Sequence, residues 1–180
     1  MMTATTLENL QAAFNGESNA RAKYLAFAQK ADAEGYGKVA SLFRAAARAE
    51  EIHAKNHAKV IRAAGSEPNA VIEKVEPKST RENLQAAIAG ETYEFETMYP
   101  NFLAAARAAG DAQAERTFDF ASQVERVHAR LYSEALAHLE DWKTAATFYV
   151  CPVCGETVSS VDFARCPVCA TKGEIFEKVS

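Results

Sequence analysis

Residues 50–53 read EEIH (Glu50, Glu51, Ile52, His53) within a segment that is rich in alanine and helical in its periodicity. A single Glu and His three residues apart on a helix is most simply a solvated pair that contributes roughly 0.3 kcal/mol. A second motif of the same form, ERVH at residues 125–128, stands in a later helical segment. The rest of the chain decides between a surface pair and a shared buried site.

Apolar periodicity and helix-end signals predict four helical segments, at about residues 7–33, 37–64, 80–109 and 112–142. Capping residues are expected at the start of three of them: Thr5 with Glu8, Ser79 with Glu82, and Asp111. Pro100 is expected to kink the third segment. Two short joints and one long connection, GSEPNAVIEKVEPKS at residues 65–79, predict an all-α four-helix bundle of the ferritin-like type with one long crossover.

An internal repeat supports this arrangement. The stretch ENLQAAFNGES (8–18) recurs as ENLQAAIAGET (82–92), at an offset of 74 residues. The two Glu-x-x-His motifs correspond at an offset of 75. The bundle is therefore expected to consist of two related helical hairpins.

Acidic and histidine side chains interrupt the apolar stripe of every predicted helix, at Glu17, Glu50, His53, Glu91, Glu94, Glu125 and His128. Buried charges cost several kcal/mol unless they are compensated, and matching seam lysines or arginines are absent from the sequence. Two metal ions would compensate them, and mixed oxygen and nitrogen ligands favour iron or manganese over structural zinc. A Glu from each of two helices with Glu-x-x-His from the other two is typical of di-iron carboxylate bundles. The alternative is a network of buried, hydrogen-bonded polar side chains.

The repeat is not symmetric, because the counterpart of Glu94 is Ala20. The extra carboxylate would let one metal change ligands as its charge changes. Tyr24 and Tyr99 are expected either to hydrogen-bond ligand carboxylates or to be ordinary buried tyrosines. Three other polar residues are not expected to bind metal: Glu51 (solvated), His57 (at the end of the seam or partly exposed) and His138 (on the surface).

The last part of the chain contains the pattern C-x2-C-x11-C-x2-C, formed by Cys151, Cys154, Cys166 and Cys169. Four thiolates in a tetrahedron bind zinc or iron. A redox-active metal pair in the same chain favours iron, although zinc would serve a purely structural tail. So few residues depend on the metal for their fold.

Composition excludes several classes of protein. The net charge of −4 and the pI of about 5.6 argue against a nucleic-acid or anionic-membrane partner. The sequence lacks a signal peptide and any apolar run of about 18 residues, which predicts a cytoplasmic protein without a membrane span. The cysteines cluster at 151–169, which in a reducing compartment indicates metal rather than disulfides.

The motifs GES at Glu17, EEIH, GETYE at Glu91 and Glu94, ERVH and the paired CPVC knuckles with KGEIFEKV resemble those of the rubrerythrin family over essentially the whole chain. The resemblance implies a ferritin-like di-iron bundle at residues 1–143 and a rubredoxin-like iron domain at 144–180. The segment between the knuckles is short compared with true rubredoxins but similar to other rubrerythrins. All seven di-iron ligand positions of the family are filled.

The resemblance also implies an NAD(P)H-linked peroxidase that reduces hydrogen peroxide to water in oxidative-stress defence. Electrons would come from a rubredoxin or a separate reductase and pass singly through the four-cysteine iron. Glu50 and Glu125 would bridge the irons, Glu17 would hold one, and Glu91 with His128 the other. His53 would bind the first iron in the reduced state and Glu94 in the oxidised state. Iron storage with ferroxidase activity, a di-iron oxidase or oxygenase, and a structural module with a zinc-bound tail remain alternatives.

Helix length adds a prediction about assembly. The fourteen residues from His128 to Trp142 span about 21 Å of helix, and the linker to the first knuckle, Lys143–Val150, has only eight residues. Unless the linker folds straight back, the four-cysteine site lies far from the di-iron site of its own chain. We therefore predict a head-to-tail homodimer in which each tail serves its partner's bundle.

Overall fold

In the computed structural model, which describes residues 2–180, four helical rods form a bundle and a small sheet follows them. The rods are α1 (Ala4–Ala33), α2 (Gly37–Ala63), a broken third rod of α3 (Thr80–Tyr93) and α4 (Tyr99–Ala109), and α5 (Ala112–Ala137). This is the predicted ferritin-like bundle. None of the helices within residues 2–180 is long and apolar enough to cross a membrane.

Helix ends follow the sequence signals in part. Ser79 and Glu82 form the predicted capping box at the start of α3. The predicted box of Thr5 and Glu8 is wrong, because the helix already begins at Ala4 and the Thr3 hydroxyl accepts a hydrogen bond from the amide of Thr6. Thr5 therefore lies inside the first turn.

The start and end of α5 also differ from expectation. Asp111 precedes α5, but its side chain makes no capping bond and instead accepts from the amide of Thr3, at 3.4 Å. The helix ends at Ala137, not near Trp142, and a 3-10 turn at Leu139–Asp141 follows. This turn directs Trp142 inward, where its ring stacks on Phe148 of the sheet with the centroids 6.4 Å apart.

A π-helical turn at Glu94–Met98 joins α3 to α4. It explains why the repeat offset grows from 74 to 75. Glu17 and Glu91 differ by 74, whereas Gly35 and Gly110, which end α1 and α4 in left-handed conformation, differ by 75. One residue is therefore inserted within the third rod, and a turn with i→i+5 bonding accommodates it between α3 and α4. Pro100 follows at the start of α4, where a missing amide proton costs least.

The crossover at residues 65–79 has no regular secondary structure, as predicted. It runs along α1, whose amide side chains hold its backbone. The amides of Asn69, Val71 and Glu73 donate to the side-chain oxygens of Gln11, Asn15 and Asn19 at 3.1, 2.9 and 2.8 Å.

The apolar core lies on both sides of the acidic residues. Tyr24, Phe43 and Tyr132 pack together at one end, with ring centroids 5.1–5.9 Å apart. Leu10, Ile61, Tyr99, Leu103 and Phe118 pack at the other end. The carboxylates therefore sit in the middle of the bundle, shielded along its length.

The cysteine tail (residues 144–180) forms a three-stranded antiparallel sheet in the order β2-β1-β3. The strands are β1 (Phe148–Val150), β2 (Thr157–Val158) and β3 (Glu177–Val179), and a 3-10 turn at Gly173–Ile175 precedes β3. The sheet lies against α2 and α5 of the same chain.

Candidate metal centres

The first group of potential ligands gathers around His53. Its Nδ1 lies 3.1 Å from Glu50 Oε2, 2.8 Å from Glu125 Oε1 and 3.9 Å from Glu17 Oε1. The four side chains come from α1, α2 and α5, and their donor atoms lie within 4.8 Å of one another. Atoms this close to one another can share one ion.

The second group is related to the first by the repeat and gathers around His128. Its Nδ1 lies 3.0 Å from Glu125 Oε2, 3.5 Å from Glu50 Oε1 and 3.7 Å from Glu91 Oε1. Glu50 and Glu125 belong to both groups. Two neighbouring ions with two shared carboxylates fit this arrangement.

Hydrogen bonding supports a pair of cations. Glu17, Glu50, Glu91 and Glu125 have no solvent exposure, and each retains one carboxylate oxygen without a hydrogen bond. A buried carboxylate oxygen that lacks a donor is costly. Cations held between these oxygens would satisfy all four, so the residues fit a carboxylate–histidine two-metal site.

The electrostatics of the residues lead to the same conclusion. Burial and the charges of neighbouring carboxylates raise the pKa of Glu17 and Glu91 well above its usual value. His128 is buried, but hydrogen bonds and charges from Glu125 and Glu50 raise its pKa to about 9. Without metal, therefore, protons occupy positions that metal ions would take. Ion binding has to displace them.

Glu94 differs from the other candidates. It is only partly buried, it lies in the π-helical turn, and it does not belong to either group of close donor atoms within the described residues. Burial and the charges of Glu125 and Glu50 nevertheless hold its pKa well above the usual value. Glu94 is thus close enough for the other carboxylates to raise its pKa, but its oxygens do not lie among the close donor atoms.

Two tyrosines bind the carboxylates in a crossed pattern. The hydroxyl of Tyr24 on α1 donates to Glu91 Oε1 on α3, at 2.5 Å. The hydroxyl of Tyr99 on α4 donates to Glu17 Oε1 on α1. The two tyrosines are 75 residues apart and obey the repeat, so the expectation of carboxylate hydrogen bonds holds for both.

His57 was expected at the end of the seam or partly exposed, and not as a metal ligand. It is fully buried, so partial exposure is wrong. Within the described residues it does not belong to either group of close donor atoms, although its Nε2 lies 3.7 Å from Glu17 Oε1. Its Nδ1 lies 3.0 Å from Thr117 Oγ1, and its Nε2 lies 3.2 Å from the Tyr99 hydroxyl. Burial and the positive charge of His53 lower its pKa to about 3, so it is neutral. Sequence periodicity placed His57 on the seam, but its partner Thr117 comes from another helix and left no local signal.

The two remaining predictions hold. His138 is exposed. Glu51 faces away from the metal groups and is partly exposed, with Lys55 at 2.6 Å and Arg48 at 3.0 Å. Of the two adjacent glutamates in EEIH, only Glu50 faces the site.

The four cysteines form the second centre. Sγ atoms of Cys151 and Cys169, and of Cys154 and Cys166, lie 3.6 Å apart, and all four are free thiols whose sulfurs lie within 4.8 Å of one another. A hydrogen bond with Cys154 lowers the pKa of Cys151 to about 5, despite burial. This donor set fits one tetrahedral ion.

The two centres meet within one chain. His53 Nε2 lies 2.9 Å from the carbonyl oxygen of Cys154, and His128 Nε2 lies 3.1 Å from Thr157 Oγ1. Both histidines thus direct Nδ1 toward the carboxylates and the other nitrogen toward the tail. Neither contact could be predicted from the sequence, because a backbone carbonyl leaves no sequence signal and Thr157 lies 29 residues from His128.

The predicted separation of the two centres is therefore wrong. The linker folds straight back: the amides of Gly37 and Lys38, at the start of α2, donate to the carbonyls of Lys143 and Trp142 at 2.8 and 3.1 Å. A side chain at Gly37 would come within 2.8 Å of the Ala145 amide nitrogen, so the glycine permits this crossing. The geometric reason for exchanging tails between two chains is absent.

Further bonds hold the tail in place. Arg48 on α2 makes two bonds to the carboxylate of Glu177, at 2.8 and 3.1 Å. The Asn56 side chain donates to the carbonyl of Val153 at 2.9 Å, and Arg44 donates to the Ser180 carbonyl at 2.6 Å. These bonds join the tail to α2 at three positions, Val153, Glu177 and Ser180.

Comparisons with known proteins find relatives that match both the bundle and the tail. The family model described as rubrerythrin matches residues 8–136. Rubrerythrin-2 of Clostridium acetobutylicum is 36% identical over 177 residues, covering 97% of this chain and 96% of its own. Nigerythrin of Nitratidesulfovibrio vulgaris is 37% identical over 173 residues, covering 96% of this chain and 85% of its own.

Solved structures show the same relationship. The fully reduced, all-ferrous state of nigerythrin superposes with a TM-score of 0.89 at 36% identity, covering 99% of this chain and 88% of that chain. A bacterioferritin of Desulfovibrio desulfuricans, whose di-iron site was studied in different catalytic states, gives a TM-score of 0.71 at 26% identity. It covers 77% of this chain and 81% of its own. The bacterioferritin match is shorter, whereas the nigerythrin match extends through the tail.

Proposed function

The chain belongs to the rubrerythrin family, and on that premise we propose that it is a non-haem di-iron peroxidase that reduces hydrogen peroxide to water. Peroxide takes up two electrons and two protons, its O–O bond breaks, and two waters result. Such a reaction serves defence against oxidative stress. The observation that carries the proposal is the contact between His53 and Cys154, which joins a two-metal site to a one-metal site in a single chain.

We assign the ligands of the iron pair from the two groups of donor atoms. Glu50 and Glu125 would bridge, because each belongs to both groups. Glu17 with His53 would complete one site, and Glu91 with His128 the other. Glu94 would replace His53 in the oxidised state, for which the π-helical turn provides an extra carboxylate on one side only.

The four cysteines would hold a third iron, although zinc can occupy such a site after recombinant expression. When bound, the iron pair supplies the two electrons that peroxide takes, and the four-cysteine iron returns them singly from an external donor. The Cys154 carbonyl accepts from the ring of His53, so it fixes the tautomer and orients Nδ1 toward the metal.

We propose that the external donor is a rubredoxin or an NAD(P)H-dependent reductase and that the protein acts in the cytoplasm. A homodimer is also proposed, now with each tail on its own bundle. The functional division is proposed at residues 1–143 and 144–180. Iron storage is less well supported, because a one-electron centre docked on the di-metal site has no role in storing iron.

Stopped-flow mixing tests the function. The iron-loaded protein, reduced without oxygen, is mixed with hydrogen peroxide or with dissolved oxygen, and reoxidation is followed by absorbance. A faster reaction with peroxide supports the peroxidase, whereas a faster reaction with oxygen would favour an oxidase. Metal analysis accompanies the kinetics, and a tail that holds zinc after iron-replete growth would argue against electron transfer through it.

A further inference from the structure

A line of three hydrogen bonds leads from near the surface to Glu17. Thr117 Oγ1 on α5 lies 3.0 Å from Nδ1 of His57 on α2. The other ring nitrogen of His57 lies 3.2 Å from the hydroxyl of Tyr99 on α4, and this hydroxyl is bonded to Glu17 Oε1. The line reaches the two-metal site from the end of the bundle opposite to Tyr24, Phe43 and Tyr132.

The direction of each hydrogen bond follows from the group at the inner end of the line, the carboxylate of Glu17. A metal-bound carboxylate only accepts, so Tyr99 donates its proton to Glu17. The Tyr99 oxygen must then accept from Nε2–H of His57. A neutral imidazole has one N–H, which leaves Nδ1 to accept from the Thr117 hydroxyl. All three donors therefore point inward, as a stepwise transfer of protons toward Glu17 requires.

The outer end of the line borders a surface pocket. Thr117 is 6% exposed and borders a surface pocket of about 410 Å³, lined also by Lys59, Gln113 and Arg116. His57, Tyr99 and Glu17 have no exposure. Thr117 is therefore the member of the line that lies next to the pocket, and the other three groups are closed off from solvent.

The repeat provides an internal comparison. Tyr24 bonds to Glu91 as Tyr99 bonds to Glu17. At the offset of 75, however, the counterpart of His57 is Tyr132 and that of Thr117 is Leu42. The hydroxyl of Tyr132 has no hydrogen-bond partner, and Leu42 is fully buried. The polar line exists on one side of the two-metal site, although the ligands themselves occur on both.

We propose that Thr117, His57 and Tyr99 relay protons from this pocket to Glu17 during peroxide reduction. The inference rests on the proposed function, in which each peroxide consumes two protons and two electrons inside a buried site.

In one passage, Tyr99 gives its proton to Glu17 and takes the Nε2 proton of His57. Nδ1 then takes the proton of Thr117, and water in the pocket reprotonates the threonine. Glu17 hands the proton to the oxygen released when the O–O bond breaks. One passage moves one proton inward and leaves the imidazole protonated at Nδ1 instead of Nε2. Exchange of the ring N–H hydrogen with water between turnovers restores the Nε2–H form.

The kinetic test compares wild type with Thr117→Val, Thr117→Ser and the control Thr80→Val. Thr80 is a buried threonine at the start of α3 that does not belong to the relay. Reoxidation of the reduced, iron-loaded proteins by peroxide is measured in H2O and in D2O. We expect Thr117→Val to retain its iron, to react about tenfold more slowly and to show a larger solvent isotope effect. Thr117→Ser and Thr80→Val should match wild type.

A second readout does not depend on activity. In the zinc-loaded protein, nitrogen NMR of the histidines should find His57 protonated at Nε2, and Thr117→Val should shift chiefly its Nδ1 resonance. An Nδ1–H tautomer would overturn the relay, as would unchanged rates and isotope effects in Thr117→Val. If wild type itself fails to react with peroxide, the proposed function falls and the relay with it. A normal wild type beside an unaffected valine variant removes the relay alone.

Discussion

His53 Nε2 lies 2.9 Å from the carbonyl oxygen of Cys154, so a side chain of the two-metal site and the backbone of a four-cysteine ligand share one hydrogen bond. His53 reaches the carboxylates with its other nitrogen, at 2.8 Å from Glu125. The two centres are therefore joined through a single imidazole. Most of the consequences that can be tested depend on this contact being made within one chain.

Mixing two inactive variants tests that point. One chain carries Glu50→Ala with Glu125→Ala, and the other Cys151→Ser with Cys166→Ser. Because each tail lies on its own bundle, re-annealed mixtures should show no recovered peroxidase turnover, even where mixed dimers are demonstrated. Substantial recovery would mean that tails act on the partner's bundle.

The ion pair between Arg48 and Glu177 should hold the tail in its working position. It is only partly exposed and makes two bonds, at 2.8 and 3.1 Å, so it is expected to contribute about 1 kcal/mol. We expect Arg48→Gln and Glu177→Gln each to slow electron transfer from the four-cysteine iron by up to about fivefold. Reoxidation of the bundle by peroxide should not change.

The exposed pair of Arg62 and Glu67, 3.6 Å apart, supplies the control. Arg62→Gln removes the same charge from the same helix without touching the tail. Equal slowing in Arg62→Gln and Arg48→Gln would show that overall charge, rather than docking, is responsible.

Adjacent glutamates should differ sharply in metal binding. Glu50 is fully buried between the two groups of ligands, whereas Glu51 is partly exposed and contacts Lys55 and Arg48. Glu50→Gln removes a shared ligand charge and should reduce bundle iron well below two per chain. Glu51→Gln should retain both ions and nearly full turnover. Iron analysis of both variants measures this difference, and equal iron content in the two would contradict the prediction.

The stability of the metal-free protein should fall as pH rises from 7 to 9. Folding raises the pKa of His128 to about 9, and it raises that of His53, Glu17 and Glu91 as well. The folded state then binds more protons than the unfolded state, so the free energy of unfolding decreases with pH. The lowered pKa of Cys151, about 5, acts in the opposite direction over this range, but it is one group against these four. The depressed pKa of His57 acts only below about 6.5.

Urea denaturation at pH 7, 8 and 9 measures this effect. Bound metal replaces the protons, so the metal-loaded protein should lose less stability over the same range. Metal-free protein that becomes more stable as pH rises would contradict the expectation.

The six residues of the two groups of close donor atoms were predictable because helical periodicity is local. A seam position at Glu50 depends on residues three and four places away, and the repeat places Glu125 equivalently. The partner of His57 and the position of the tail were not predictable in this way. They depend on where Thr117 and the Lys143–Val150 linker lie in three dimensions, and a linker of eight residues is long enough to extend or to fold back.

Gly155 offers the sharpest test of tail docking. It has φ +86, and a side chain there would come within 2.6 Å of His53 Nε2. The matching position after the second knuckle is Ala170, which adopts φ 59 with a side chain in place. Left-handed backbone alone therefore does not require glycine after a CPVC knuckle, and contact with His53 does.

We expect Gly155→Ala to push the tail away from the bundle, because the nearest atoms belong to the ring that also binds the carboxylates. Electron transfer between the two centres should fall at least about tenfold, while the four-cysteine iron keeps its absorbance. Gly35→Ala is the matched control, since Gly35 has φ +81 and nothing within 4 Å of the added carbon. Both variants carry the backbone cost of about 1 kcal/mol. Only Gly155→Ala should slow electron transfer between the two centres. Similar electron-transfer rates in the two variants would show that this transfer does not require the close contact between Gly155 and His53.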